Sequence, residues 1–140
     1  MRLQVESVKI ELGRPYVARV SLVGPGGTRA VGTAFTLTSD KPSVRQAYAR
    51  ATIDALNATL PEGYFFSLSH LGNATLGSWR VTVAVVRLSR RGQSEEQLVG
   101  AVSLKDNAEL APVKAVLDAT NRRWEKISVL AEVMPQQTSK

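Results

Sequence analysis

The sequence LGRPYVARVSL at residues 12–22 returns as LGSWRVTVAVV at residues 76–86, at an offset of 64 residues. Each copy begins with Leu-Gly and continues as an apolar, β-branched run, which is typical of a strand that follows a turn. Two later segments also recur: Val31-Gly32-Thr33-Ala34 returns as Val99-Gly100-Ala101-Val102, and Asp54-Ala55-Leu56-Asn57 returns as Asp118-Ala119-Thr120-Asn121. Such an internal repeat predicts two similar halves that bury their apolar faces against each other.

The first repeat has the pattern of three strands and a helix. We predict strands at residues 3–10, 16–23 and 29–38, and the Gly-Pro-Gly-Gly turn at 24–27 makes the second and third a hairpin. Ser39 or Asp40 supplies the N-cap of a helix that runs to about Thr59, with Pro42 in its first turn. Apolar side chains at spacings of three and four, mostly alanines, give this helix a packing face.

The second repeat follows the same order. We predict strands at 64–71, 79–88 and 98–104, with a loop of small residues at 72–77. Asp106 or Asn107 caps a second helix that runs to about Trp124, and Pro112 lies in its first turn. An apolar run at 127–134 is expected to form a last strand, and residues 135–140 a polar tail.

The predicted fold class is therefore α+β, a tandem pseudo-two-fold βββα-βββα repeat with a C-terminal strand and with helices packed on antiparallel sheet. We expect a single domain over residues 1–134, built from repeats at about 1–61 and 62–125 plus the final strand. The helices align at an offset of either 64 or 68 residues, and these two registers differ by about one helical turn.

The strand at 79–88 is apolar on both faces, which favours burial on both sides or a position at a seam. We expect that this strand, or an exposed strand edge, extends pairing between chains.

The composition excludes several kinds of site. The chain has no cysteine, which rules out disulfides, thiolate zinc sites and iron–sulfur clusters. No apolar segment is long enough to cross a membrane, and we see no signal peptide, so a cytoplasmic location is expected. No motif would hold a cofactor or a metal, and none is expected.

Catalytic patterns are scarce. His70 is the only histidine, and its neighbour Ser69 does not make a triad without a third converging group. The pair Glu95-Glu96 lies beside Arg90-Arg91 in a polar hairpin, which is typical of a solvated charged turn. We therefore expect that the protein is not an enzyme.

The net charge of +6 leaves two alternatives open. One is a soluble protein with scattered arginines, and the other is a nucleic-acid-binding module, in which arginines contact phosphates and tryptophans stack on bases. For the second alternative the candidate residues are Arg80, Arg87, Arg90, Arg91, Arg122 and Arg123. A structural subunit of a larger assembly is a further alternative.

Three segments carry a resemblance to a known family: Leu76-Gly77-Ser78-Trp79-Arg80-Val81-Thr82-Val83, Val99-Gly100-Ala101-Val102, and Ala115-Val116-Leu117-Asp118-Ala119-Thr120-Asn121-Arg122. Together they resemble the C-terminal regulatory domain of alpha-isopropylmalate synthase, over roughly residues 3–124. That domain is a non-catalytic tandem of two βββα units, which binds the end-product leucine between the units and helps the enzyme to dimerise.

The resemblance implies a free-standing module that binds an amino-acid-like effector and self-associates, with a dimer as the first expectation. The positions that match the effector site are Gly72, Asn73, Gly77 and Gly100.

Overall fold

The computed structural model of the chain describes residues 2–105 and 107–133, with side chains described through residue 128. In chain order the strands are β1 (Gln4–Glu11), β2 (Tyr16–Val23), β3 (Arg29–Thr36), β4 (Tyr64–Leu76), β5 (Trp79–Arg90) and β6 (Glu96–Ser103). The helix α1 (Lys41–Asn57) follows β3, and the helix α2 (Ala111–Val133) follows β6. The order βββα-βββα is thus confirmed.

The strands form two antiparallel sheets of three strands each, with β2 and β5 in the centres. We call β1–β3 sheet 1 and β4–β6 sheet 2. The two sheets share an irregularity, since a β-bulge interrupts the first pairing at Glu6 in sheet 1 and at Ser69 in sheet 2. A bulge bends its strand and increases the local twist. The repeat therefore extends to the shape of each sheet, and the predicted α+β class is confirmed.

The helix register, which the sequence leaves open, is decided by one glycine in each of the edge strands β3 and β6. A Cβ on Gly32 would lie 1.9 Å from the carbonyl oxygen of Ala51, and one on Gly100 would lie 2.3 Å from that of Ala115. Each helix backbone thus rests directly on a glycine, an approach that any side chain would block. Ala51 and Ala115 differ by 64 positions, so the helices align at 64 although the third strands align at 68.

Each helix packs on the inner face of its own sheet and also touches the other repeat. The inner face of sheet 1 buries Ala18, Val20 and Leu22 completely. In its second half α1 exposes only a narrow stripe at Arg50 and Asp54. Small alanines on the remaining faces allow this close packing. The core therefore lies between the sheets and around both helices.

Two of the predicted element boundaries are wrong. The predicted final strand at 127–134 is helical as far as Val133, because no glycine or proline interrupts the run after Pro112. Ile127 follows buried Trp124 by three positions on the same helix face and is itself buried. The second repeat therefore continues past residue 125. Met134 and the predicted tail at 135–140 lie outside the described residues.

The predicted loop at 72–77 is also wrong, because β4 continues to Leu76 and pairs with β5 along its whole length. Gly77 and Ser78 alone form the turn, and Gly77 has the positive φ of 60° that two-residue hairpin turns require. At the start of the second helix, Asn107 Oδ1 accepts hydrogen bonds from the backbone N–H groups of Glu109 and Leu110, and the helix begins four residues later than that cap.

Candidate ligand cleft between the repeats

The two repeats are joined by a pair of equivalent asparagine side chains. Asn57 of α1 binds the backbone of Phe66 in β4: its Nδ2 donates to the carbonyl at 3.0 Å and its Oδ1 accepts from the N–H at 2.8 Å. Asn121 of α2 makes the same two bonds to the backbone of Leu3, both at 3.3 Å. Each helix therefore clamps the first strand of the other repeat, as the pseudo-two-fold relation requires.

The side chains at these two junctions differ in size. At the first junction Phe66 is completely buried, with Leu68 beside it on the same face of β4. At the second junction the equivalent positions hold Leu3 and Val5. Smaller side chains fill less space, and a void too large to close is left open to solvent.

A cleft of about 550 Å³ lies at this second junction, between the start of β1 and α2. We call it the junction cleft. It is lined by Arg2, Leu3, Gln4, Val5, Val102, Leu110, Lys114, Leu117, Asp118 and Asn121. Its volume falls within the range of small-molecule sites, roughly 300–1,000 Å³. Both repeats contribute to it, since β1 belongs to the first and α2 to the second.

The cleft combines an apolar wall with charges of both signs. Lys114 and Asp118 are exposed and lie one helical turn apart on α2, so their side chains lie on the same face of that helix. Asp118 Oδ2 accepts a hydrogen bond from the backbone N–H of Ala101 at 2.9 Å. This bond fixes the carboxylate at the rim, and its other oxygen, Oδ1, remains available to a ligand. Buried Leu117 and half-buried Leu110 supply apolar surface beside it.

A second, more basic depression of about 590 Å³ adjoins the cleft and shares Arg2 and Asp118 with it. Arg122, Arg123 and Lys126 add positive charge there. Part of that charge is neutralised, because Arg123 Nε donates to both oxygens of Glu96 at 3.0 and 3.1 Å. The hydrogen bond from Arg123 is the main cause that lowers the pKa of the Glu96 carboxyl below its ordinary value, and it raises the pKa of Arg123 itself.

The four residues predicted for an effector site occupy three places in the second repeat, with Gly72 and Asn73 as neighbours in β4. Gly100 is buried beneath α2, Gly77 forms the β4–β5 turn, and Gly72 lies on the outer face of β4 with open space around it. Asn73 Oδ1 accepts from the hydroxyl of Thr82 at 2.8 Å. None of the four is among the residues that line the junction cleft in the described part of the chain. The recurrence of Asp54 and Asn57 as Asp118 and Asn121 is the sequence signal that could have indicated this cleft.

The structure separates some of the six arginines proposed for nucleic-acid binding and brings two of them together. Arg80 and Arg90 lie at opposite ends of β5, roughly 30 Å apart at the rise of a strand. Arg90 and Arg123 both form ion pairs with Glu96. Arg87 lies on the outer face of sheet 2, Arg91 follows the end of β5, and Arg122 is exposed on α2.

Among the described residues, no helix has the length and apolar character needed to cross a membrane. The described residues also hold no cluster of three His, Cys, Asp or Glu side chains arranged for a metal ion.

No protein-family model matches this sequence, and no curated protein matches it closely enough to count as a relative. The resemblance to the regulatory domain of alpha-isopropylmalate synthase therefore stays a prediction.

Proposed function

We propose that this chain is a non-enzymatic module that binds a small amino-acid-like molecule in the junction cleft and self-associates. The observation that carries the proposal is the placement of Lys114 and Asp118 together beside an apolar wall, in a cleft of suitable volume. The resemblance to a leucine-binding regulatory domain supports it. The proposal keeps the predicted cytoplasmic location, with which a chain without cysteine is compatible.

The chemistry of the cleft matches the three parts of an apolar amino acid. The ammonium of Lys114, with the guanidinium of Arg2 nearby, suits a carboxylate. The free oxygen of Asp118 suits an ammonium group. Leu110, Leu117 and Val102 form a surface on which a branched aliphatic side chain is buried. A ligand that lacks one of the three parts loses the corresponding contact.

Isothermal titration calorimetry and thermal unfolding test this with L-leucine and two analogues, 4-methylpentanoate without the ammonium and 3-methylbutylamine without the carboxylate. We expect heat of binding and a higher melting temperature with leucine, and much weaker effects with either analogue. At a concentration 100 times the Kd, binding stabilises the fold by about 2.7 kcal/mol, which raises the melting temperature by several degrees.

The repeat provides matched control variants. Asp118→Asn and Lys114→Ala are expected to weaken leucine binding at least 10-fold. Asp54→Asn and Arg50→Ala change the equivalent positions of the first repeat and are expected to leave binding unchanged. The amide of Asp118→Asn still accepts from the Ala101 N–H, which preserves the fold. Binding that survives in the α2 variants and is lost in the α1 variants would contradict the proposal, as would an absence of binding by any branched-chain amino acid.

A nucleic-acid-binding module is the second candidate function, favoured by one local arrangement. Trp79 is 55% exposed, and the Lys105 ammonium lies 5.4 Å from the centre of its ring. Arg80 lines the same cleft of about 310 Å³. An exposed indole beside two cations suits base stacking with phosphate contacts.

Titration of single-stranded DNA should then quench Trp79 fluorescence, and binding should weaken steeply from 50 to 200 mM salt. Absent or salt-insensitive binding would remove this candidate. A fixed oligomer that binds neither probe would indicate a structural subunit.

A further inference from the structure

The outer face of sheet 2 is the side of β4, β5 and β6 that points away from α2. Alternation and pairing register place Val81, Val83 and Val85 in its centre, because the residues between them, Thr82 and Ala84, are buried on the inner face. Val99 and Ala101 of β6 lie opposite Val85 and Val83. Leu76 and Trp79 continue the apolar surface at the hairpin end, and Phe65 lies at the other end of β4.

This face is apolar although it is exposed. Leu76 is 69% exposed, Val99 64% and Trp79 55%. None of the described residues that point outward from β4, β5 and β6 carries a carboxylate. The charged or titratable side chains on or beside this face are Arg87, His70 and Lys105, whose ammonium lies 5.4 Å from the centre of the Trp79 ring. An apolar surface of this extent on a folded protein indicates an interaction site.

We propose that this face is the interface of a homodimer, in which the outer face of sheet 2 of one chain packs on the same face of a second copy. The inference specifies the surface for the self-association in the proposed function, on which it rests, and it is independent of the junction cleft. A second copy is favoured because the centre of the surface, formed by Val81, Val83, Val85 and Val99, is uncharged. Arg87 and Lys105 lie towards its two ends, where long side chains can reach solvent, and the valine rows of two copies interdigitate as in face-to-face sheets.

The area also suits a second copy. Strand β5 has 12 residues. At about 3.3 Å per residue and with three strands about 4.8 Å apart, the face covers roughly 500 Å². Two copies therefore bury roughly 1,000 Å², which is near the lower limit for specific protein–protein interfaces. We accordingly expect a reversible dimer, which assembles as the concentration rises.

Sedimentation velocity of the intact chain between 1 and 300 µM tests the proposal. The mass should shift from 15.2 kDa towards twice that value as the concentration rises. Val99→Arg and Val99→Glu are each expected to raise the Kd about 100-fold, because each places two like charges in a desolvated interface. Ala101→Glu, at a neighbouring exposed position of the same face, serves as an independent variant.

The first repeat supplies the control. Val31→Arg changes the residue equivalent to Val99, which is 51% exposed on the outer face of sheet 1, and the dimer should persist. Circular dichroism confirms that each variant is folded.

The alternatives give distinct results. If the wild-type chain remains a monomer at 300 µM, the proposal of self-association is wrong. The proposal of a ligand site in the junction cleft is tested separately, by calorimetry with leucine. If dimers persist in all three sheet 2 variants, or dissociate with Val31→Arg, self-association stands and the assigned face is wrong. If Val99→Arg strengthens binding to single-stranded DNA while Val99→Glu abolishes it, and neither changes the mass, the face contacts a polyanion and the homodimer proposal is overturned.

Discussion

The two sheets differ most on the faces that turn away from the helices. The outer face of sheet 1 combines the exposed apolar side chains Val31 and Phe35 with charged ones, and two ion pairs join its strands: Arg19 lies 3.4 Å from Glu11, and Arg29 lies 2.8 Å from Glu6. The equivalent face of sheet 2 is dominated by valine. Exposed ion pairs add little stability, but charges that satisfy each other at an edge discourage pairing with other chains. We infer that, of the two outer faces, that of sheet 2 is the better suited to contact with a second copy.

The two junctions between the repeats differ in a similar way. Both use an asparagine clamp, but Phe66 fills the first, whereas Leu3 leaves a cleft at the second. The first junction is closed by a further bond between the repeats, from Trp124 Nε1 to the Thr59 hydroxyl at 2.7 Å. In this duplicated fold the candidate dimer face thus lies on the second half, and the candidate cleft lies where that half meets the start of the first.

The largest loss of stability is expected from substitution of the glycines on which the two helices rest, where the repeats are most alike. Gly32→Ala and Gly100→Ala each force a methyl group against the helix backbone, which has no flexible end to move aside. We expect each to lower the free energy of unfolding by about 3 kcal/mol, measured by urea denaturation.

Gly72→Ala is the control for these two variants, because a Cβ at that position meets nothing within 4 Å. It should change stability by less than about 0.5 kcal/mol. Equal losses at all three positions would indicate that strand propensity, and not contact with the helix, determines the effect.

The asparagine clamps test whether the second junction is the weaker one. Asn57→Ala removes bonds of 2.8 and 3.0 Å and is expected to cost about 2 kcal/mol, since the Phe66 backbone loses both its partners. Asn121→Ala removes longer bonds, of 3.3 Å, from a buried side chain, and should cost about 1 kcal/mol because longer hydrogen bonds are weaker. Urea denaturation of both variants measures the difference. A larger loss for Asn121→Ala would contradict the view that the first junction is the tighter one.

The sequence predicts the repeat well because periodicity and turn residues are local signals. The strand order, the hairpins and the cap at Asp40, whose carboxylate accepts from the Ser43 N–H at 3.1 Å, all depend on neighbours in the chain. Residues 127–133 were wrongly predicted as a strand because a short apolar run fits a strand and a buried helix equally well. Only the contact of that run with the rest of the core decides between them.

The junction cleft is harder to predict from the sequence than the fold is. Its walls come from β1 and α2, which are more than 100 positions apart, and its volume depends on Leu3 being smaller than Phe66. The repeat marks Asp118 and Asn121 as special but does not distinguish them from Asp54 and Asn57. The valine run at 81–86 predicts an unusual strand, but the pairing register is needed to show which valines face outward.

The smallest loss of stability is expected from substitution of Glu96, the centre of an ion-pair cluster in the second repeat. Glu96 joins Arg90 of β5 to Arg123 of α2, whereas the equivalent position in the first repeat is Thr28. Because these side chains are partly solvated, Glu96→Gln should cost only about 0.5 kcal/mol at pH 7, measured by urea denaturation. Glu95→Gln is the control for the loss of one charge. In the wild-type chain the Glu95 carboxylate accepts a hydrogen bond from the Ser89 hydroxyl.

The pH dependence distinguishes this ion-pair cluster from a packing effect. The pKa of the Glu96 carboxyl is lowered in the folded state, first by the hydrogen bond from Arg123. Its contribution is therefore complete above the pKa of the unfolded chain, and it is lost as the pH falls through the lower folded value. The difference in unfolding free energy between the wild-type chain and Glu96→Gln should shrink from pH 6 to pH 3. A difference that is independent of pH would show that Glu96 stabilises the second repeat through packing, and that the β5–β6–α2 contact has no electrostatic part.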